Sequence, residues 1–282
     1  VNNLQIGRVL TNETPQDPPI KSMMCWNSNP VTQAPECDKI VAGLLREDLF
    51  LVSAEHFISD TAAYADIVLP AAGWGEVDFA RCNAERRLRL YAKFNDAPGE
   101  AKPDWWAIGQ FAQKMGLEGF DWTESNDVFE EAARFSRNGV LSYNVLVKEA
   151  KKEGKKGHEK LRELGTTGIQ TPIRMVDGQM IGTGRLHDPE NDWGEVEGDT
   201  KDQKWLYAFG THTGKANILK TPWVNDSWSD FYEAIKPRAE KGEIWITNGR
   251  VNEVWQSGFD DLRKPYLAKR WPWPHIVIHP DD

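Results

Sequence analysis

Met23-Met24-Cys25-Trp26, Leu49-Phe50-Leu51-Val52 and Ile67-Val68-Leu69 are three short, unbroken apolar runs, and the segments between them decide the fold. Runs of this length suit strands buried on both faces. Between the first two, Pro35 and Glu36 suit a first helical turn, and Ile40, Val41, Leu44 and Leu45 share one helical face. A shorter helix fits between the second and third. The order is therefore β-α-β-α-β, which implies an α/β fold with a parallel, doubly wound sheet and right-handed crossovers, and ligands bound beyond the carboxyl ends of the strands. Asn27 to Pro30, Ser53 to His56 and Pro70 to Glu76 fall on that rim.

Outward from this core, Arg87 to Tyr91 alternates with period two and predicts a half-exposed strand. Pro103 to Met115 predicts a helix with Trp105, Ile108, Phe111 and Met115 inward. Helical patterns also cover residues 126–135, 142–152 and 156–164, and Asp177-Gly178 should join a hairpin of Ile173–Val176 and Gln179–Thr183. Residues 187–202 are acidic and without periodicity, hence a loop. A boundary is expected at Pro237–Gly242, followed by strands at Glu243–Thr247 and His275–His279 around a helix near Asp260–Arg270. The domain limits so drawn are 1–120, 121–240 and 241–282.

The whole chain has 282 residues with 40% hydrophobic and 27% charged, a globular composition with ample core. Its formal charge of −9 disfavours unspecific nucleic-acid binding. Cys25, Cys37 and Cys82 are too few and scattered for a disulfide framework, a zinc site or an iron–sulfur ligand set. No apolar run has the length of a membrane span. The start without Met and the stop at His279-Pro280-Asp281-Asp282 lead us to expect a piece of a longer chain.

Each candidate site has a plainer reading beside it. Asn27, Ser28 and Asn29 can hold phosphate oxygens or simply form a turn. Glu55, with His56, can accept from a ribose or guanine edge, while Ser59, Asp60 and Thr61 can equally cap a helix. Asn83 to Arg87 offers guanidinium forks for a phosphate, or surface salt bridges. The acidic loop fits no EF-hand. No G-x-G-x-x-G or Walker sequence is present. The tryptophans can stack on a ligand, pack in the core, or make the chain a non-catalytic interaction module.

Taken together, Trp26-Asn27-Ser28-Asn29-Pro30, the string Asp60-Thr61-Ala62-Ala63-Tyr64-Ala65-Asp66-Ile67-Val68-Leu69-Pro70 and the following Glu76 resemble the molybdopterin oxidoreductases of the DMSO reductase family. Asn83 to Leu90, Pro98 to Lys102 and Thr247 to Gln256 look most like arsenite oxidase large subunits, a branch that also holds iodate reductases. Ala84 stands where the family usually has Gly, and Val251 where arsenite oxidases read Asn.

That resemblance implies the family's third domain, which binds a molybdopterin guanine dinucleotide, followed by the start of a C-terminal β-barrel domain. It implies molybdenum on two such dinucleotides, a [3Fe-4S] cluster bound outside this stretch, and arsenite oxidation with electrons passing to a small Rieske-type subunit and a soluble acceptor such as a cytochrome c, in the periplasm. No catalytic residue or metal ligand is assigned here. Cofactor contacts are expected from Asn27, Ser28, Asn29, Glu55, His56, Asp60, Thr61, Glu76, Asn83, Arg86, Asn248, Arg250, Asn252 and Gln256, with Trp255 packed beneath the last loop.

Overall fold

A computed structural model describes residues 3–136, 140–188, 209, 211–219, 222–244, 246–247, 249, 251–255, 258, 263–273 and 275–281. The chain divides into two compact units, residues 1–70 with 219–282, and residues 71–218. These limits differ from the breaks expected near 120 and 240.

The first unit begins with helix α1 (Ile6–Leu10), strand β1 (Ser22–Trp26), a short helix α2 (Pro30–Gln33), helix α3 (Cys37–Leu44) and strands β2 (Phe50–Glu55) and β3 (Ile67–Pro70). The strands are parallel in the order β1-β2-β3, with Cys25 opposite Ser53 and Ser53 opposite Val68. This parallel sheet is the one expected. Its order advances one way, so the reversal that makes a sheet doubly wound is absent among the described residues.

Burial of the second face is only partial. Met23, Cys25 and Leu51 point toward α1 and α3 and pack with Leu10, Ile40 and Leu44, whereas on the opposite face Met24 and Ile67 are exposed, Val52 is half-buried and Ala54 is buried. Successive strand side chains alternate, so a continuous apolar run is covered twice only where elements lie on both sides. On the covered side α1 approaches α3 closely, because Gly43 presents no side chain to Leu10: a Cβ built there would sit 2.3 Å from that of Leu10. Glu36 at the start of α3 receives the Arg8 guanidinium at 2.7 Å and the Lys39 ammonium at 3.1 Å. Hydrogen bonding to Arg8, then Lys39, holds its carboxyl down at about 2.

The second unit contains strands β4 (Phe79–Cys82) and β5 (Arg87–Tyr91), helices α4 (Asp104–Lys114), α5 (Ser125–Ser136), α6 (Asn144–Lys152) and α7 (Gly157–Glu163), and strands β6 (Ile169–Gln170), β7 (Arg174–Val176) and β8 (Gln179–Ile181). β4, β5 and β6 form an antiparallel sheet, with Ala80, Cys82, Leu88 and Leu90 on the face that packs against Phe129, Val145, Leu146 and Leu161. β7 and β8 are joined through Asp177 and Gly178, both at positive φ, as a two-residue primed turn requires. Helices α8 (Pro222–Ala239) and α9 (Pro265–Arg270) belong to the first unit.

Three expectations need correction. α4 forms where its periodicity places it, yet Ile108, Phe111 and Met115 are exposed while Gly109 and Ala112 are buried. Periodicity groups residues on one face without saying whether anything covers that face. The described residues of 243–247 and 275–279 form no strand, so no barrel start is visible there. Extended segments need a neighbour to receive their hydrogen bonds, and Ile276, Val277 and Ile278 are exposed. Pro237, read as a break, lies in the last turn of α8.

Candidate functional site

The carboxyl ends of β1, β2 and β3 form one edge of the first unit, and the residues following β1 and β2 gather there. β1 ends at Trp26; Asn27 turns the chain at φ +49 and, like Ser28, is exposed. The Ser28 carbonyl accepts from the Cys25 thiol at 3.0 Å, which ties this turn to the strand beneath it. Burial pushes that thiol up to about 11, so Cys25 is a packing residue and not a thiolate.

Asn29 and Thr61 bond to each other. Both are buried; the Thr61 hydroxyl and backbone N–H donate to Asn29 Oδ1 at 2.7 and 3.1 Å, and the Val31 N–H donates to Thr61 Oγ1 at 3.1 Å. Beside them the Thr32 hydroxyl donates to Asp60 Oδ2 at 2.8 Å, and the Ala62 N–H to Ser59 Oγ at 3.2 Å. Asn29 and Thr61 thus clamp the loop after β1 to the loop after β2. This differs from the direct ligand contact expected of them: Asn29 Oδ1 already accepts twice inside the protein. What the clamp displays outward is Asn27, Ser28, Glu55 at the end of β2, exposed His56 and Asp60.

Three of the other expected residues, Glu76, Asn83 and Arg86, lie in the second unit, where each holds a turn. Glu76 accepts the Gly73 N–H at 2.6 Å. Asn83 Oδ1 accepts the N–H groups of Glu85 and Arg87 at 3.1 and 3.0 Å, closing the β4–β5 hairpin. Arg86, at φ +61, directs its guanidinium onto the carbonyls of Thr171, Thr183 and Gly184. Arg86 thus donates from both terminal nitrogens to main chain, because the turn aims it back across the 171–184 segment. Asn248, Arg250 and Gln256 lie outside the described residues; Asn252 is exposed in a turn, and Trp255 is exposed instead of packed beneath.

Sequence reading missed Arg263. It belongs to the segment before α9 and places its guanidinium carbon 3.9 Å from the centre of the Phe57 ring, two residues past β2. Two hundred residues of separation leave no local signal for such a contact. At the other end of the strands, a cavity of about 300 Å³ is lined by residues including Leu10, Ile20, Arg46 and Asp48. Arg46 donates there to the Leu10 and Ile20 carbonyls and to both oxygens of Asp48, so these four bonds already engage all three of its nitrogens.

Residues 2–114 match the molybdopterin oxidoreductase family. The chain thus carries a molybdopterin oxidoreductase domain of the DMSO reductase family. Among characterised relatives it is 69% identical to the iodate reductase subunit IdrA of Denitromonas iodatirespirans over 78% of this chain and 25% of that protein. The IdrA of Pseudomonas sp. strain SCT is 65% identical over the same shares. The arsenite oxidase subunit AioA of Herminiimonas arsenicoxydans is 31% identical over 83% of this chain and 27% of its own length. The chain thus spans about a quarter of the length of these relatives. These identities reverse the order expected from sequence, in which arsenite oxidase stood ahead of iodate reductase. Among solved structures, acetylene hydratase from Pelobacter acetylenicus covers 96% of this chain and 28% of its own, with a TM-score of 0.49 and 18% identity.

Proposed function

We propose that this chain is part of the catalytic subunit of an iodate reductase, and that its first unit holds one guanine dinucleotide arm of a molybdenum bis(molybdopterin guanine dinucleotide) cofactor. The observation that carries the reading is the 69% and 65% identity to two iodate reductase subunits, against 31% to an arsenite oxidase subunit. The donor set at the rim fits such a group: two short exposed polar side chains at Asn27 and Ser28, a carboxylate at Glu55 able to accept from a guanine or ribose edge, and an imidazole at His56. When bound, the cofactor supplies two-electron oxygen-atom exchange. Asn27 and Ser28 would donate to phosphate oxygens, and Glu55 would accept from the nucleoside. The Asn29–Thr61 clamp would keep these groups in register.

In the same proposal a [3Fe-4S] cluster, a small Rieske-type subunit and a soluble carrier such as a cytochrome c deliver electrons, and the enzyme works in the periplasm; the family resemblance supports these parts. Among the described residues no helix is long and apolar enough to cross a membrane.

The test uses the full-length protein that carries this sequence, purified from cells that make the cofactor. Molybdenum and acid-released guanine nucleotide are measured per polypeptide, and dye-coupled turnover is compared on iodate and arsenite. The expected result is bound molybdenum with nucleotide, and iodate consumption driven by a reduced dye. Arsenite oxidation without iodate reduction would overturn the substrate, and absence of molybdenum would overturn the whole reading.

A further inference from the structure

The rim of the first unit carries carboxylates at Glu55 and Asp60, an unfavourable setting for a diphosphate unless a cation stands nearby. Arg263 meets that need. Its guanidinium carbon lies 3.9 Å from the Phe57 ring centre, a separation too short for an N–H edge to stand between them, so the guanidinium plane lies over the ring face. In that arrangement the ring occupies one face of the cation, while the N–H donors stay in the plane and point outward. Arg263 is exposed, and no described carboxylate pairs with it. Two residues further on begins α9, anchored by Leu267, which is 1% exposed. The cation is thus carried by an anchored segment and stacked on a residue two positions past the end of β2.

We propose that Arg263 is a phosphate-binding residue of this rim, its outward N–H edge pairing with the diphosphate of the dinucleotide whose other contacts are Asn27 and Ser28. This rests on the cofactor reading above and adds to it a cation from a distant part of the chain. Phe57 is then a positioning residue: it holds the guanidinium flat and at the strand end, so that little rearrangement is needed when the anion arrives.

The experiment compares wild-type full-length protein with Arg263→Ala, Arg263→Lys and Phe57→Leu. It measures acid-released guanine nucleotide and molybdenum per polypeptide after dialysis against high salt. It also measures the melting temperature of each protein made in cells unable to assemble the cofactor. Arg263→Ala should retain at most a third of the wild-type nucleotide. Arg263→Lys should lie between, because it keeps the charge and loses the flat fork, and Phe57→Leu should also lie between. The cofactor-free melting temperatures should agree within about 2 °C, the scale on which surface changes act. Wild-type nucleotide content in Arg263→Ala would overturn the proposal. So would a loss of content matched by an equal fall in cofactor-free melting temperature, which would make Arg263 a packing residue. A wild-type protein holding molybdenum without guanine nucleotide would instead sink the cofactor reading beneath it.

Discussion

Thr61 shows how one buried hydroxyl can organise a ligand edge without touching a ligand. Its oxygen donates to Asn29 and accepts from the Val31 N–H, and the residue is fully buried. Replacing it with the isosteric Val leaves the Val31 N–H unpartnered and removes one of the two bonds to Asn29. At about 1–3 kcal/mol for a buried group left unsatisfied, Thr61→Val should destabilise the protein by about 2–3 kcal/mol in urea titration, and Thr61→Ser by much less. A loss below about 0.5 kcal/mol in the Val variant would mean that water reaches this site. The sequence marks Asn29 and Thr61 as polar rim residues, but not as each other's partners: they are 32 positions apart, and residue type carries no record of that pairing. Arg86 is legible as a gripping residue for the same reason that its target is not. Its fork is intrinsic, whereas the direction comes from a left-handed backbone that brings it to Thr183, 97 residues away.

Elements whose shape depends on neighbours in sequence were readable, and those that depend on distant packing were not. The β7–β8 hairpin follows from Asp177-Gly178, and β1 to β3 follow from apolar runs of strand length between turn signals. β4 was missed because Phe79-Ala80-Arg81-Cys82 has a weak pattern and pairs only because β5 lies beside it. The approach of α1 to α3 is likewise invisible in sequence, since one Gly inside a helical pattern reads as a small cost. Structurally it is a requirement: with a Cβ only 2.3 Å from that of Leu10, Gly43→Ala must push α1 away and disturb the contacts of Leu10 with Ile40 and Leu44. Overpacking of this kind costs about 1–3 kcal/mol. Gly116→Ala, at φ +76 just after α4 with nothing within 4 Å of the added Cβ, should cost only about 1 kcal/mol of backbone strain. Thermal denaturation of the two variants should rank them in that order. The reverse order would mean that α1 shifts freely.

At the scale of the whole molecule, the chain divides into two compact units, and the second carries a buried titratable group that should give it an acid response of its own. The second unit buries His158, which is 6% exposed, with its Nε2 unpartnered and its ring 4.9 Å from that of Phe129. Burial lowers its pKa; Asp78, Glu124 and Glu130 pull it back up, and Arg162 adds to the depression. A histidine kept neutral in the folded state and free to protonate in the unfolded one contributes stability that is present above the unfolded value of about 6.5 and is lost as pH falls below it. The loss can reach about 1.4 kcal/mol per pH unit until the folded-state value is met. Glu153 and Glu163 are held below the ordinary carboxylate range, chiefly by hydrogen bonds from Lys155, so their ion pairs persist through this window. Between pH 7 and 5.5, hydrogen exchange corrected for intrinsic rate should therefore accelerate in α7, which carries His158, and in α5, which carries the Phe129 ring beside it, and stay constant in β1 and β2. His158→Leu should abolish the difference, since it removes the titrating group from an apolar site. An unchanged acceleration in that variant would assign the acid response to other groups. Acceleration spread equally over both units would show that they open together and not one at a time.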